Sequence, residues 1–211
     1  MHKGVFKGAH AAGDRNVLVL GESHHYMVAD DPEYTTEGVV NNYFKHPNDK
    51  CYRFFDKIVK CFGFLPDERE QFWDRVWFGN YVEESNCGVG DSRARDLVEK
   101  HKERYNKDLF LFVNEHEIDI ICCFSRLVYW NLPSRAIFEE KETQYDVPKL
   151  HGRRDYISKF LYLPGARPDC EVALKKQLLV YGFRHPSARD GFDATHYVDV
   201  LKGLVQRPRT P

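Results

Sequence analysis

Val17-Leu18-Val19-Leu20-Gly21-Glu22-Ser23-His24-His25-Tyr26 is the stretch on which the fold turns. An unbroken apolar run ends at a glycine and gives way at once to polar, chemically capable side chains. A short continuous apolar run is how a strand buried on both faces reads, and parallel strands are of that kind. Towards the other end, Val180-Tyr181-Gly182-Phe183 behaves the same way and opens into Arg184-His185-Pro186-Ser187. In open α/β sheets, ligands bind in the crevice at the carboxyl ends of the strands. The two segments therefore predict one cleft lined by Glu22, His24, His25 and His185.

Working outward, strands are expected over residues 16–20, 75–82, 118–124 and 178–183. Helical patterns fall between them. Phe54, Phe55, Ile58, Val59 and Phe62 make an apolar face over 51–62. Residues 92–105 alternate in charge, as a solvated helix does. Further helices are expected at 110–117, at 125–130, and from Asp193 to a point before Arg207-Pro208. Strands alternating with helices predict an α/β fold, a three-layer α/β/α sandwich around a central, mainly parallel sheet of about four strands. The 211 residues fit a single domain, 1–211. Residues 132–169 depart from the α/β pattern: Pro133, Pro148, Pro164 and Pro168 surround Gly152-Arg153-Arg154. An inserted hairpin or extended loop is expected there, and long insertions of this kind often carry function.

Composition narrows the setting. Charged residues are 30% and aromatic residues 14% of the chain, which argues against disorder. No apolar run approaches the ~20 residues of a membrane span. Met1 to Gly13 has no signal-peptide core. A soluble protein of the cytoplasm, bacterial or phage-encoded, or of the nucleus is expected, acting as a monomer away from membranes. The cysteines, at 51, 61, 87, 122, 123 and 170, form no C-x-x-C pair, and Cys122-Cys123 sits in an apolar run as core. Adjacent His24 and His25 cannot readily close on one ion without a third ligand such as His185 or Asp190, so no metal is expected. The net charge of −1 conceals an asymmetry: residues 1–148 carry −7 and residues 149–211 carry +6. A basic region beside the cleft suits a polyanion.

The ordered set of motifs resembles the uracil-DNA glycosylase superfamily across most of the chain. It comprises the polar turn Gly21-Glu22-Ser23-His24-His25-Tyr26 and Asn80 in Trp77-Phe78-Gly79-Asn80-Tyr81-Val82. It continues with Ile120-Ile121-Cys122-Cys123-Phe124-Ser125 and His185-Pro186-Ser187, then Arg189, Gly191-Phe192 and His196-Tyr197. Glu22 resembles the Gly-Glu start of an iron–sulfur branch, but that branch's clustered cysteines are missing, so no cofactor is implied. The resemblance implies a glycosylase that flips out uracil or a modified pyrimidine and hydrolyses its N-glycosidic bond, leaving an abasic site. The partner implied is DNA, double- or single-stranded, carrying a damaged or modified base.

On that reading Glu22, Ser23, His24 and His185 are the candidates for catalysis. His185 would donate to an oxygen of the leaving pyrimidine, and Glu22 would orient water or support the sugar cation. Asn80 offers a donor and an acceptor to the pyrimidine edge, with Tyr26 and His25 beside it. Among Tyr26, Tyr34 and Tyr43, Tyr26 is the favoured stacking surface. Ser187, Arg189 and Arg184 would contact phosphates. The 132–169 segment would enlarge the pocket mouth for a bulky base, such as a modified cytosine of phage DNA, and so serve antiviral defence rather than repair. Other readings stand beside these: Glu22 as a ligand of turn amides, Asn80 as a strand cap, and His185 as a loop residue fixed by Pro186. For the whole chain, a non-catalytic nucleic-acid binder of the same fold and a small-molecule hydrolase are the alternatives.

Overall fold

The computed structural model of the chain describes residues 4–12, 15–26, 35–47, 49–87, 92–133, 143–150, 153–166, 170–188 and 192–205, with backbone alone for 24–26, 83–87, 92–93, 143–150 and 153–156. In chain order the elements are β1 (Phe6–Lys7), β2 (Val17–Tyr26), α1 (Thr36–Lys45), α2 (Arg53–Cys61), α3 (Arg69–Trp73), β3 (Trp77–Cys87), α4 (Ser92–Glu115), β4 (Ile120–Cys123), α5 (Arg126–Asn131), β5 (Thr143–Leu150), β6 (Arg153–Tyr162), β7 (Leu178–Gly182) and α6 (Val198–Leu201).

The strands form one seven-stranded sheet in the order β1-β3-β2-β4-β7-β6-β5. Its centre, β3-β2-β4-β7, is parallel throughout. Its margins are antiparallel: β1 on β3, β6 on β7, and β5 on β6. The fold is thus mixed α/β, and the expectation of a mainly parallel sheet of about four strands is corrected to a parallel centre with antiparallel margins. The added strands were hard to see for a physical reason. A strand at a sheet margin need not be apolar on both faces, so the proline-bearing, charged segments of β5 and β6 suggest only an inserted hairpin or extended loop; they form an antiparallel pair, and β6 joins it to the main sheet.

Period-two alternation sorts the central side chains into two cores. Val17, Val19, Phe78, Ile120, Cys122 and Tyr181 face α1, α2, α3 and α6. Leu18, Leu20, Trp77, Ile121, Cys123 and Val180 face α4 and α5. The apolar stripe of α2, with Phe55, Ile58 and Val59 buried, fills the first side. Neither α1 nor α3 was foreseen; both dock through aromatics, with Tyr43 stacked on Phe55 at 5.2 Å and Trp73 edge-on to Phe78 at 5.5 Å.

Several boundaries move. The polar run 21–26 is no turn but the continuation of β2, paired to β3 with a bulge between Ser23 and His24. Asn80 consequently lies inside a strand, not at its end. Backbone pairing makes this ribbon, so its side-chain sequence carries no apolar alternation to reveal it. The two helices expected at 92–105 and 110–117 are one, α4. Its buried face runs on through Ala94, Val98, Tyr105, Leu109 and Val113, and Asn106 is accommodated by bonds to Tyr81 and Asn131. The last helix is shorter than expected, a 3₁₀ turn over Ala194–Tyr197 leading into α6, with Asp193 as the cap. Among the described residues no helix is long and apolar enough to cross a membrane.

Where β7 passes α5 the layers nearly touch. A Cβ at Gly182 would lie 2.4 Å from the ring of Tyr129, which is itself buried. Gly182→Ala must therefore displace an aromatic ring, and overpacking of this kind costs about 1–3 kcal/mol. For a chain of this size the melting temperature should fall by about 2–10 °C. A thermal melt overlaying that of the parent would refute the contact.

Candidate functional site

Leu20 pairs with Gly79 on one side and Cys123 on the other, and Cys123 pairs with Gly182. These four residues make the last row shared by all the parallel strands. Just past that row come Asn80 on β3, Gly21-Glu22-Ser23 on β2, Ser125 after β4, and Arg184-His185 after β7. Parallel pairing thus brings both sequence motifs to one edge. In addition, β3 and β4 flank β2 on opposite sides. The connection changes direction there, which is the topological switch point where open α/β sheets open a crevice.

Alternation divides the residues at this edge. On the α2 side, Gly21 lies beneath Asn80: a Cβ there would stand 2.3 Å from Asn80 Oδ1 and 3.6 Å from the ring of Phe78. Gly21 is thus required so that the Asn80 carboxamide can cross β2. Asn80 is only 9% exposed. Phe54 of α2 packs on Phe78 with ring centroids 6.4 Å apart and on His185 at 5.3 Å, tilted by 32°. His185, Phe54, Phe78 and Asn80 therefore form a continuous row. Helical spacing assigned Phe54 to the core, and its role beside His185 was not foreseen; the signal was its place at the edge of the α2 stripe.

The His185 loop is held from two directions. Lys57 Nζ donates to the Pro186 carbonyl at 2.6 Å, tying the loop to α2. The Ser187 N–H donates to His185 Nδ1 at 3.1 Å. With Nδ1 accepting, the proton of the neutral imidazole is assigned to Nε2, which becomes the donor.

On the α5 side, Ser125 Oγ donates to Glu22 Oε2 at 2.6 Å. The same hydroxyl caps α5 by accepting from the Val128 N–H at 3.3 Å. Ser125 stands at the end of the third-strand motif and at the start of the expected helix, but its bond to Glu22 was not foreseen. The expected cleft is thus resolved into two sides. His185 and Asn80 belong to the α2 side, and Glu22 is held towards α5. Ser23 follows Gly21 in the alternation, and its Oγ is buried with no hydrogen-bond partner among the described residues.

Other expected residues fall differently. The side chains of His24, His25 and Tyr26 lie outside the described residues, as do Tyr34, Arg189, Asp190 and Gly191. Tyr43 is core, not a stacking surface: it is fully buried and its hydroxyl donates to Asp56 Oδ1 at 2.7 Å. Burial, reinforced by Asp56, raises its phenol well above the ordinary range. Arg184 is half-buried and Ser187 exposed. In the loop that follows, Phe192 stacks on buried Tyr197 at 4.9 Å, so that aromatic is structural. Burial pushes the Cys123 thiol up to about 12, with the Glu22 charge adding to it, which removes it as a nucleophile near neutrality. Among the described residues no group of three His, Cys, Asp or Glu could hold a metal ion. A separate surface cavity of about 400 Å³, lined by Val5, Trp77, Leu111, Phe112 and His116, contains none of the expected residues.

In comparison with known proteins, no family model matches the chain and no curated protein matches it.

Ser125 is 1% exposed and serves two partners at once. Ser125→Ala removes a helix cap and leaves a half-buried carboxylate without that donor, which together should cost about 1–3 kcal/mol. Urea unfolding should show a lower midpoint with an unchanged slope. Stability equal to the parent's would mean that the Glu22 contact carries no weight.

Proposed function

We propose that this chain is a DNA glycosylase that extrudes a uracil or modified pyrimidine nucleotide and hydrolyses its N-glycosidic bond, leaving an abasic site. The observation that carries the reading is the row His185, Phe54, Phe78 and Asn80 along one side of the carboxyl edge. It supplies what an extruded pyrimidine needs: an aromatic face, an amide that both donates and accepts, and a histidine donor.

In the mechanism this supports, Asn80 reads the pyrimidine edge and Phe54 offers a stacking face. The bond between C1′ and the base nitrogen lengthens, positive charge gathers on the sugar and negative charge on the base. His185 Nε2–H donates to a base oxygen as that charge develops, which is where a placed donor helps most. Water supplies the hydroxyl that ends on C1′, and its remaining proton goes to the departed base. Glu22, with Oε2 held by Ser125, would orient that water or support the sugar cation. Arg184 and Ser187 would position the strand through its phosphates.

The engagement of Glu22 by Ser125 on the α5 side also favours a second reading, a nucleic-acid binder of the same fold without catalysis. Incubation with DNAs carrying uracil or different modified pyrimidines, followed by alkali, separates the two: strand breaks at the base are expected, and their absence on every substrate, with binding intact, would leave the binder.

On the best substrate, His185→Ala should slow single-turnover base release by ~10²–10³-fold while DNA binding persists. Glu22→Gln should slow it as well. Parental rates in both variants would overturn the assigned roles.

Asn80→Asp replaces an amide donor with an acceptor, so the order of preference among bases should change by at least ~10-fold for one pair. Competition between two modified bases in one reaction measures it, and an unchanged order would remove Asn80 from recognition.

A further inference from the structure

Strand register shows two ribbons rising past the carboxyl edge of the sheet. The central strands β4 and β7 stop at Cys123 and Gly182, which pair with each other. On one flank β2 continues through 21–26 paired with β3, about 20 Å beyond that row. On the other flank Ser158 of β6 pairs with Gly182, and β6 is antiparallel to β7. Its residues 153–157 therefore also lie beyond the edge, paired with β5 up to Leu150↔Arg153, a projection of about 17 Å. Three strand spacings separate β2 from β6, so the ribbons leave the sheet about 14 Å apart, with the ends of β4 and β7 as the floor between them.

The ribbons differ in sign. The projecting parts of β2 and β3 carry Glu22, Glu83 and Glu84 with no Lys or Arg. The projecting part of the β5–β6 hairpin carries Lys149, Arg153 and Arg154 against Asp146 and Asp155, with all three cations towards its end. A spacing of ~14 Å is too narrow for a ~20 Å duplex but admits a single strand. A polyanionic strand crossing the floor would be repelled from the acidic ribbon and drawn to the basic one.

We propose that the β5–β6 hairpin is a phosphate-gripping arm for a single DNA strand, holding its backbone through Lys149, Arg153 and Arg154 while the nucleotide lies over the ends of β4 and β7. This rests on the reading above for the location of the reacting nucleotide; the grip itself is a binding claim. The acidic ribbon sets the side on which the backbone runs, and the basic arm supplies affinity without sequence preference.

The experiment measures binding of a labelled, unmodified single-stranded oligonucleotide across a salt series, alongside base release from modified DNA. It compares the parent with Lys149→Gln/Arg153→Gln/Arg154→Gln, with the charge-keeping Arg153→Lys/Arg154→Lys, and with Lys7→Gln/Lys175→Gln/Lys176→Gln, which removes the same charge at or near the opposite edge. The first variant should bind about tenfold more weakly at low salt, with a log–log salt slope shallower by about 2. The other two should bind much like the parent, and thermal melts confirm that all are folded. Parental affinity and slope in the first variant would overturn the arm even if base release continues. Loss in that variant without base release by any protein would uphold the arm and defeat the glycosylase reading. No binding of DNA by the parent would overturn both.

Discussion

Everything at the candidate site depends on the burial of β2 between β3 and β4. Val17, Leu18, Val19 and Leu20 are at most 1% exposed. The strand is covered on both faces by helices and on both edges by other strands. No other position would satisfy four consecutive apolar side chains, two to each face, together with a backbone that must be hydrogen-bonded once it leaves water. With β2 so placed, its register fixes the level of β3 and β4, and through β4 that of β7. The row Gly79, Leu20, Cys123, Gly182 is the result, and it sets the height at which the packed core gives way to the candidate site.

Parity then distributes the polar groups. Gly21 follows Val17 and Val19, so it meets Asn80 and the α2 layer; Glu22 follows Leu18 and Leu20, so it meets Ser125 and the α5 layer. A slip of one residue would exchange the two and put a carboxylate against Phe54 and Phe78. The same packing explains the two glycines that bind the layers at this edge: Gly21 admits the carboxamide of Asn80, and Gly182 admits the ring of Tyr129. The asymmetry between the ribbons adds a long-range component. By sequence, the strand segments past one flank of the edge carry only acidic charges and those past the other carry a net positive charge.

The existence, type and approximate place of the four central strands were legible in the sequence, because a strand buried on both faces must be apolar throughout. The polar residues ending the first and last of them were legible as site candidates for the same reason: they stand where the core has to end. The burial of Cys122 and Cys123, and the one-sided apolar stripe of α2, were equally local in origin. Less was legible where structure is held by the backbone. The ribbon beyond Leu20 is made by pairing with β3, whatever its side chains, and so read as a turn. The margins at β5 and β6 face less core, so the sequence suggested a hairpin or loop there but not that it would extend the main sheet.

What the amino-acid order determined by itself, then, was the set of segments obliged to leave water, and hence the α/β class and the two motifs at its strand ends. Tertiary structure alone decided which side of the sheet each motif faces. It drew Phe54 to His185 from 131 positions away and Ser125 to Glu22 from 103, and it set the β5–β6 pair and the extended β2–β3 ribbon on opposite flanks of one edge. The physical reason is that burial is a property of each segment's own side chains, whereas these contacts depend on strand order, register and parity, which exist only once the segments have packed against one another.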